Sequence, residues 1–267
     1  MRLSFLTLLV SLLVLASCSD YQKLLKSTDY ELKYNKAMAY YKAEDFVKAT
    51  TLFEELTSIY RGSDKAENLT YCYADALFKM KDYLMAAHYY GQFVKTYPSS
   101  DLVEECQFQL AYCKYKQSPK PRLDQTLTYE ALNEFQLFIN MFPASPRVNE
   151  ATRFMDELRD KLVYKSYLNA RLYFDLGNYR GNNYRSSVIA AQNSLREFPD
   201  TKYREELSFL ILEAKYIQAV KSVEEKKDER ARETIDEYYS FINEFPDSKY
   251  LKKAESIYKV SSSLVKK

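Results

Sequence analysis

Asp82-Tyr83-Leu84-Met85-Ala86 repeats Asp45-Phe46-Val47-Lys48-Ala49 at a distance of 37 residues. The match extends in both directions. Ala37, Ala74 and Ala111 are spaced 37 apart, as are Tyr34, Tyr71 and Phe108, then Tyr41, Phe78 and Tyr115, then Lys42, Lys79 and Lys116. Phe53 matches Tyr90. A fixed period of this size is the mark of a repeat architecture, in which no unit buries its apolar face alone.

A second echo marks the ends of the units. Tyr97-Pro98-Ser99-Ser100, Phe142-Pro143-Ala144-Ser145, Phe198-Pro199-Asp200-Thr201 and Phe245-Pro246-Asp247-Ser248 share an order of aromatic, proline, small or acidic residue, then Ser or Thr. Proline disfavours helix in the residue before it. The Ser, Thr or Asp that follows is expected to N-cap the next helix. Between these stops the chain shows helical spacing of apolar residues. Only four of the 267 residues are glycine, which excludes turn-rich all-β folds.

The pattern resembles the tetratricopeptide repeat, a helix–turn–helix unit with a small residue in each helix and a closing proline. Ala74, Ala86, Tyr90 and Pro98 stand at the matching offsets; the usual Trp and Gly do not. The third unit carries an insertion around Gln117 to Arg122, the fourth a Gly/Asn-rich stretch from Gly177 to Asn183, the fifth a charged run from Glu224 to Glu233. The fold expected is all-α: a solenoid of about five tetratricopeptide-like helix pairs and a final helix over Lys249 to Val265. Ser145 to Leu176 reads as one long helix of roughly 45 Å at 1.5 Å per residue. Residues 29–145 hold repeats 1–3, and residues 146–267 hold repeats 4–5 and the final helix.

The first residues read as an address. Met1-Arg2 is basic, Leu3 to Leu15 is apolar, and Leu15-Ala16-Ser17-Cys18 follows. About 13 apolar residues are too few to span a bilayer but suit a signal peptide. Leu-Ala-Ser-Cys resembles the bacterial lipobox. Residues 1–17 are therefore expected to be removed, and Cys18 to carry a diacylglyceryl group and an amide-linked chain. Residues 18–28 form a tether. Two or more acyl chains anchor stably where one does not. Ser19, rather than Asp, follows the cysteine, which favours outer-membrane sorting.

Thirty-nine Lys+Arg against 37 Asp+Glu leaves a formal charge of +2, which argues against bulk nucleic-acid binding. His88 is the single histidine, so histidine-based metal sites and acid/base catalysis are not expected. No cofactor is expected beyond the covalent lipid. Cys106 and Cys113 are too far apart on one helix to bridge each other. One of them could reach Cys72 in an oxidising compartment, or all three could be small packing residues.

Lipobox and repeats together resemble the BamD/ComL family of outer-membrane lipoproteins over essentially the whole chain. The most family-like stretch is Leu195-Arg196-Glu197-Phe198-Pro199-Asp200-Thr201, after Tyr173-Phe174 and Gly177. The tyrosine content and Cys18 to Leu25 suggest a Bacteroidetes-type member. The resemblance implies a non-enzymatic subunit of the β-barrel assembly machinery, lipid-anchored on the periplasmic face of the outer membrane. Its partners would be a BamA-like barrel-forming subunit, held by the C-terminal repeats, and unfolded barrel proteins, received by the N-terminal ones. Arg196 is a candidate contact to the BamA-like partner, or a cation serving its own helix end.

The first helices of such repeats line a concave groove. Tyr34, Tyr71, Phe108, Tyr41, Phe78 and Tyr115 would then offer aromatic walls, and Lys42, Lys79 and Lys116 a line of ammonium groups. That groove suits an extended peptide with aromatic side chains and a terminal carboxylate. The same period also serves packing of one helix pair on the next. Two other readings fit these features: a helical-repeat adaptor of the cell wall or envelope, and a nutrient-uptake binding lipoprotein.

Overall fold

The computed structural model describes residues Asp20 to Lys266. The signal peptide, the lipobox and Cys18 lie outside them. After a short helical segment over residues 20–25, eleven helices follow: α1 (Tyr30–Lys42), α2 (Phe46–Ile59), α3 (Ala66–Lys79), α4 (Tyr83–Thr96), α5 (Val103–Gln117), α6 (Thr126–Met141), α7 (Val148–Leu176), α8 (Asn183–Glu197), α9 (Arg204–Val220), α10 (Glu224–Glu244) and α11 (Leu251–Leu264). No strand occurs among the described residues. The chain is an α-solenoid of five helix pairs and a final helix.

All four aromatic–proline stops end a helix. The N–H groups of Tyr97, Phe142, Phe198 and Phe245 close the last turns of α4, α6, α8 and α10 on the carbonyls of Phe93, Phe138, Ser194 and Phe241, at 2.8 to 2.9 Å. Proline then forbids a further turn.

The helix starts differ from expectation. The Ser/Thr after each stop does not cap the next helix; α5, α9 and α11 begin three residues later, without a side-chain cap. Instead the hydroxyl accepts from the N–H two residues on, at 3.0 to 3.2 Å for Ser100, Ser145, Thr201 and Ser248. The three serines also donate to a glutamate in the first turn of an earlier helix. Ser100 reaches Glu67 of α3, Ser145 reaches Glu104 of α5 and Ser248 reaches Glu205 of α9, each at 2.6 Å. Each of these bonds ties the start of one pair to that of the pair before it. Side-chain caps sit on other helices: Asp29, Asp45, Asp82 and Asn182 accept from the N–H three residues on, at the starts of α1, α2, α4 and α8.

Pro146 lies inside the stretch expected to be one helix from Ser145. It delays the start of α7 to Val148, because Ser145 precedes a proline and cannot readily be helical. The remaining 29 residues are about 44 Å long.

The chain divides into two compact units. Unit 1 holds the residues from Asp20 to Ser118 with Thr126–Met155; unit 2 holds Pro119–Gln125 with the residues from Asp156 onward. The division falls within α7 rather than at residue 145, and the insertion of the third repeat belongs to unit 2.

Unit 1 stacks α1/α2, α3/α4 and α5/α6. The small-residue positions Ala37, Ala74, Ala111, Ala49, Ala86 and Ala131 are fully buried, letting neighbouring helices approach. Phe53, Leu56, Tyr90, Phe93, Phe135 and Phe138 fill the space between them. Each such side chain contributes roughly 1.5–3 kcal/mol by burial. A buried cation fastens the N-terminal segment: Lys33 Nζ donates to both carboxylate oxygens of Glu55 at 2.7 and 2.9 Å and to the Leu25 carbonyl at 3.0 Å.

Unit 2 has two clusters. Ala170, Ala191, Leu207, Leu210 and Ile211 join α7, α8 and α9; Phe209, Leu212, Phe241, Ala254 and Ile257 join α9, α10 and α11. The buried face of α8 is Ser187, Ala191 and Ser194. Ser187 donates to the Ala170 carbonyl at 2.8 Å. The Gly/Asn-rich stretch forms the α7–α8 turn. Gly177 there has φ +55°, and a β-carbon on it would stand 2.8 Å from the Tyr184 hydroxyl oxygen.

Candidate functional site

The expected site residues lie on α1, α3 and α5 of unit 1, and the repeat places them at equivalent heights. Tyr34, Tyr71 and Phe108 face the second half of their own pairs. Tyr34 packs edge-on to Tyr60 at 5.5 Å, Tyr71 to Phe93 at 6.3 Å, and Phe108 to Phe138 at 5.3 Å. A cation from the start of the next pair lies over two of these rings: Lys65 Nζ over Tyr34 at 4.9 Å, and Arg147 over Phe108 at 4.6 Å. Phe108 is buried, so it offers no wall to a ligand. Tyr34 and Tyr71 are half-buried.

Tyr41, Phe78 and Tyr115 stand seven residues further along the same helices and join one pair to the next. Tyr41 donates to Asp75 of α3 at 2.6 Å. Burial, then the Asp75 carboxylate, push this phenol well above its usual range. Phe78 packs on Tyr112 of α5 at 5.9 Å, and Tyr115 on Phe154 at 4.6 Å. All three are half-buried. The aromatic rows thus serve packing, and all but Phe108 keep part of their surface in solvent.

Lys42, Lys79 and Lys116 are exposed and stand in the last turns of α1, α3 and α5. There they favour the negative end of the helix dipole. Lys116 Nζ also lies 5.3 Å from the centre of the Tyr112 ring.

Cys72, Cys106 and Cys113 are buried free thiols. Burial pushes each up to about 12. They are packing residues, and no Cys72 bridge forms. His88 is exposed and edge-on to Tyr89 at 5.1 Å. It borders a cleft of about 630 Å³ with Arg61, Gln92 and Thr70, a feature that no periodicity in the sequence announces.

In unit 2, Arg196 is exposed in the last turn of α8, directly before the Phe198-Pro199 stop. The charged run from Glu224 forms the solvated start of α10, with intrahelical pairs Lys227–Glu224 at 3.1 Å and Arg232–Asp228 at 3.0 Å. Sequence reasoning missed Lys33. The signal was there, since Lys33 precedes the core alanine Ala37 by one helical turn and so shares its buried face.

Among the described residues no group of His, Cys, Asp and Glu could hold a metal ion, and no helix is long and apolar enough to cross a membrane.

Stacked helix pairs, aromatic–proline stops and buried alanines at a fixed period define a helical-repeat protein of the tetratricopeptide type. The chain belongs to the outer membrane lipoprotein family YfiO, whose model matches residues 27–179. This is the BamD-like family of the β-barrel assembly machinery. No curated protein matches the sequence. Similar solved structures include the TPR domain of P58(IPK), at 13% identity and TM-score 0.41, over 91% of this chain and 58% of that one. A TPR repeats protein from Bacteroides fragilis is 12% identical with TM-score 0.38, over 90% of this chain and 100% of that one. The apo form of RapI is 13% identical with TM-score 0.34, over 94% and 90%.

Proposed function

We propose that the chain is a non-enzymatic scaffold subunit of the outer-membrane β-barrel assembly machinery, anchored through lipidated Cys18 on the periplasmic face. Unit 2 would hold the barrel-forming BamA-like subunit, with Arg196 as one contact. Unit 1 would receive segments of unfolded barrel proteins along α1, α3 and α5. The family match over residues 27–179 carries this reading. The lysines at the ends of these helices support the second part: they are exposed, repeat at the same phase, and offer movable cations to a terminal carboxylate. The exposed parts of Tyr34, Tyr41, Tyr71, Phe78 and Tyr115 would supply contact area beside them.

The test is a pull-down of the tagged full-length protein from detergent-solubilised envelope, read by mass spectrometry. Recovery of a barrel protein with periplasmic repeat domains is expected. Recovery of an outer-membrane transporter or a cell-wall factor in its place would reassign the function. Joint substitution of Lys42, Lys79 and Lys116 by Gln should weaken binding of a barrel-derived C-terminal peptide without loss of helicity; unchanged binding removes the lysines from the site.

A further inference from the structure

Val47, Leu84 and Tyr129 each stand two residues before a fully buried alanine, Ala49, Ala86 or Ala131, in α2, α4 and α6. Two residues turn an α-helix by about 200°, so these side chains point away from the core. Val47 is 64% exposed, Leu84 66% and Tyr129 49%. Met80, 42% exposed, lies beside them, with its sulfur 3.8 Å from Thr50 Oγ1. Unit 1 therefore presents a line of large apolar groups along the edge where α1, α3 and α5 end and α2, α4 and α6 begin. Lys42, Lys79 and Lys116 occupy the same edge, in the last turns of α1, α3 and α5. The acidic groups of the α1–α2 and α3–α4 turns are Glu44, Asp45, paired with Lys48 at 2.5 Å, and Asp82, which caps α4; Asp124 stands in the α5–α6 connection.

The position of the N-terminal segment says what covers this edge. Tyr21 donates to the Lys48 carbonyl at 3.3 Å, and its ring meets Tyr40 edge-on at 5.7 Å. Tyr40 is near the end of α1 and Lys48 near the start of α2, so Tyr21 sits at that same edge. The Lys33 bond to the Leu25 carbonyl holds the segment in place. Cys18 is three residues before Tyr21, a reach of at most about 11 Å. Acyl chains on Cys18 can enter a bilayer only where unit 1 brings this edge close to it.

We propose that the turn edge of unit 1 rests on the lipid leaflet that holds the Cys18 acyl chains. Val47, Met80, Leu84 and Tyr129 enter the interface, and the lysines lie at headgroup height. Apolar side chains flanked by snorkelling lysines are the composition of an interfacial surface. The contact requires lipidation of Cys18 but not any particular protein partner. A substrate carboxylate met by the lysines would then be held where a barrel must insert.

The test uses the full-length lipidated protein in vesicles of phosphatidylethanolamine and phosphatidylglycerol. Val47→Cys, Leu84→Cys and, at the opposite edge, Ser99→Cys are each labelled with an environment-sensitive dye; the native thiols are buried. Blue-shifted emission and quenching by brominated acyl chains are expected at 47 and 84, and neither at 99. Equal quenching at all three positions, stronger quenching at 99, or none at any, would overturn the proposal. Circular dichroism of each variant confirms that the helices are intact.

Discussion

Unit 1 and unit 2 are built from the same helix–turn–helix idea but filled differently. In unit 1 the second helices bury Leu52, Phe53, Leu56, Tyr90, Phe93, Phe135 and Phe138, and the first two pairs keep a period of 37. In unit 2 the corresponding helix α8 buries two serines and an alanine, and the Phe-Pro stops lie 47 residues apart. Large side chains at a strict period fix both register and stability. Small ones let helices approach but leave little apolar area to hold them. The second helices of unit 1 pack through large side chains, while α8, which carries Arg196, packs through small ones.

Alkali should separate the units most strongly. Cys72, Cys106 and Cys113, and Tyr71, all lie in unit 1, and burial raises each to about 12. An acid whose folded pKa is raised contributes stability that is complete below its unfolded value and is lost as pH rises through the folded one. The window runs from about pH 9, the ordinary thiol value, to about pH 12. Unit 2 has no cysteine, and its half-buried phenols Tyr167 and Tyr238 are raised by burial. Iodoacetamide labelling across this range, followed by peptide mapping, should show unit 1 opening cooperatively. Labelling at neutral pH would contradict the buried thiols.

A core truncation comes next. Phe53→Ala should cost about 3–5 kcal/mol through transfer and cavity terms, read by urea unfolding. Gly177→Ala in unit 2 should cost about 2 kcal/mol, because it combines a left-handed φ with contact against Tyr184. Its signature is faster hydrogen exchange in α8 with unit 1 unchanged.

These contrasts show how much the sequence disclosed. The aromatic–proline stops located four helix ends, because proline's effect is local. Buried alanines at the 37-residue period located the pair contacts. Helix starts were less legible. A serine after proline satisfies the rule for a cap, yet its hydroxyl is drawn to a glutamate 33 to 43 residues earlier, a contact no local rule contains. Pro146 shortened α7 by the same logic that ended α6. The depth of Phe108 was hidden because one period encodes both groove and core. The exposed row at Val47, Leu84 and Tyr129 was legible only after the eight-residue insertion had been placed by Ala131.

Smaller effects sharpen the comparison. Ser100→Ala should cost about 1–2 kcal/mol by leaving Glu67 without its donor, and Ser248→Ala a similar amount in unit 2 through Glu205. Ser194 Oγ is buried without a hydrogen-bond partner. Ser194→Ala should therefore be neutral or stabilise unit 2 by up to about 1 kcal/mol, and thermal unfolding would show it.

The division of labour between the units is tested most directly by photo-crosslinking in cells, with a crosslinker placed at Arg196 or at Lys79 of the full-length lipoprotein. The barrel-forming subunit is predicted to be captured from position 196 and newly made barrel proteins from position 79. Capture of the same partner from both positions, or of neither kind of protein from either, would contradict a scaffold with one unit for the machine and one for its substrate.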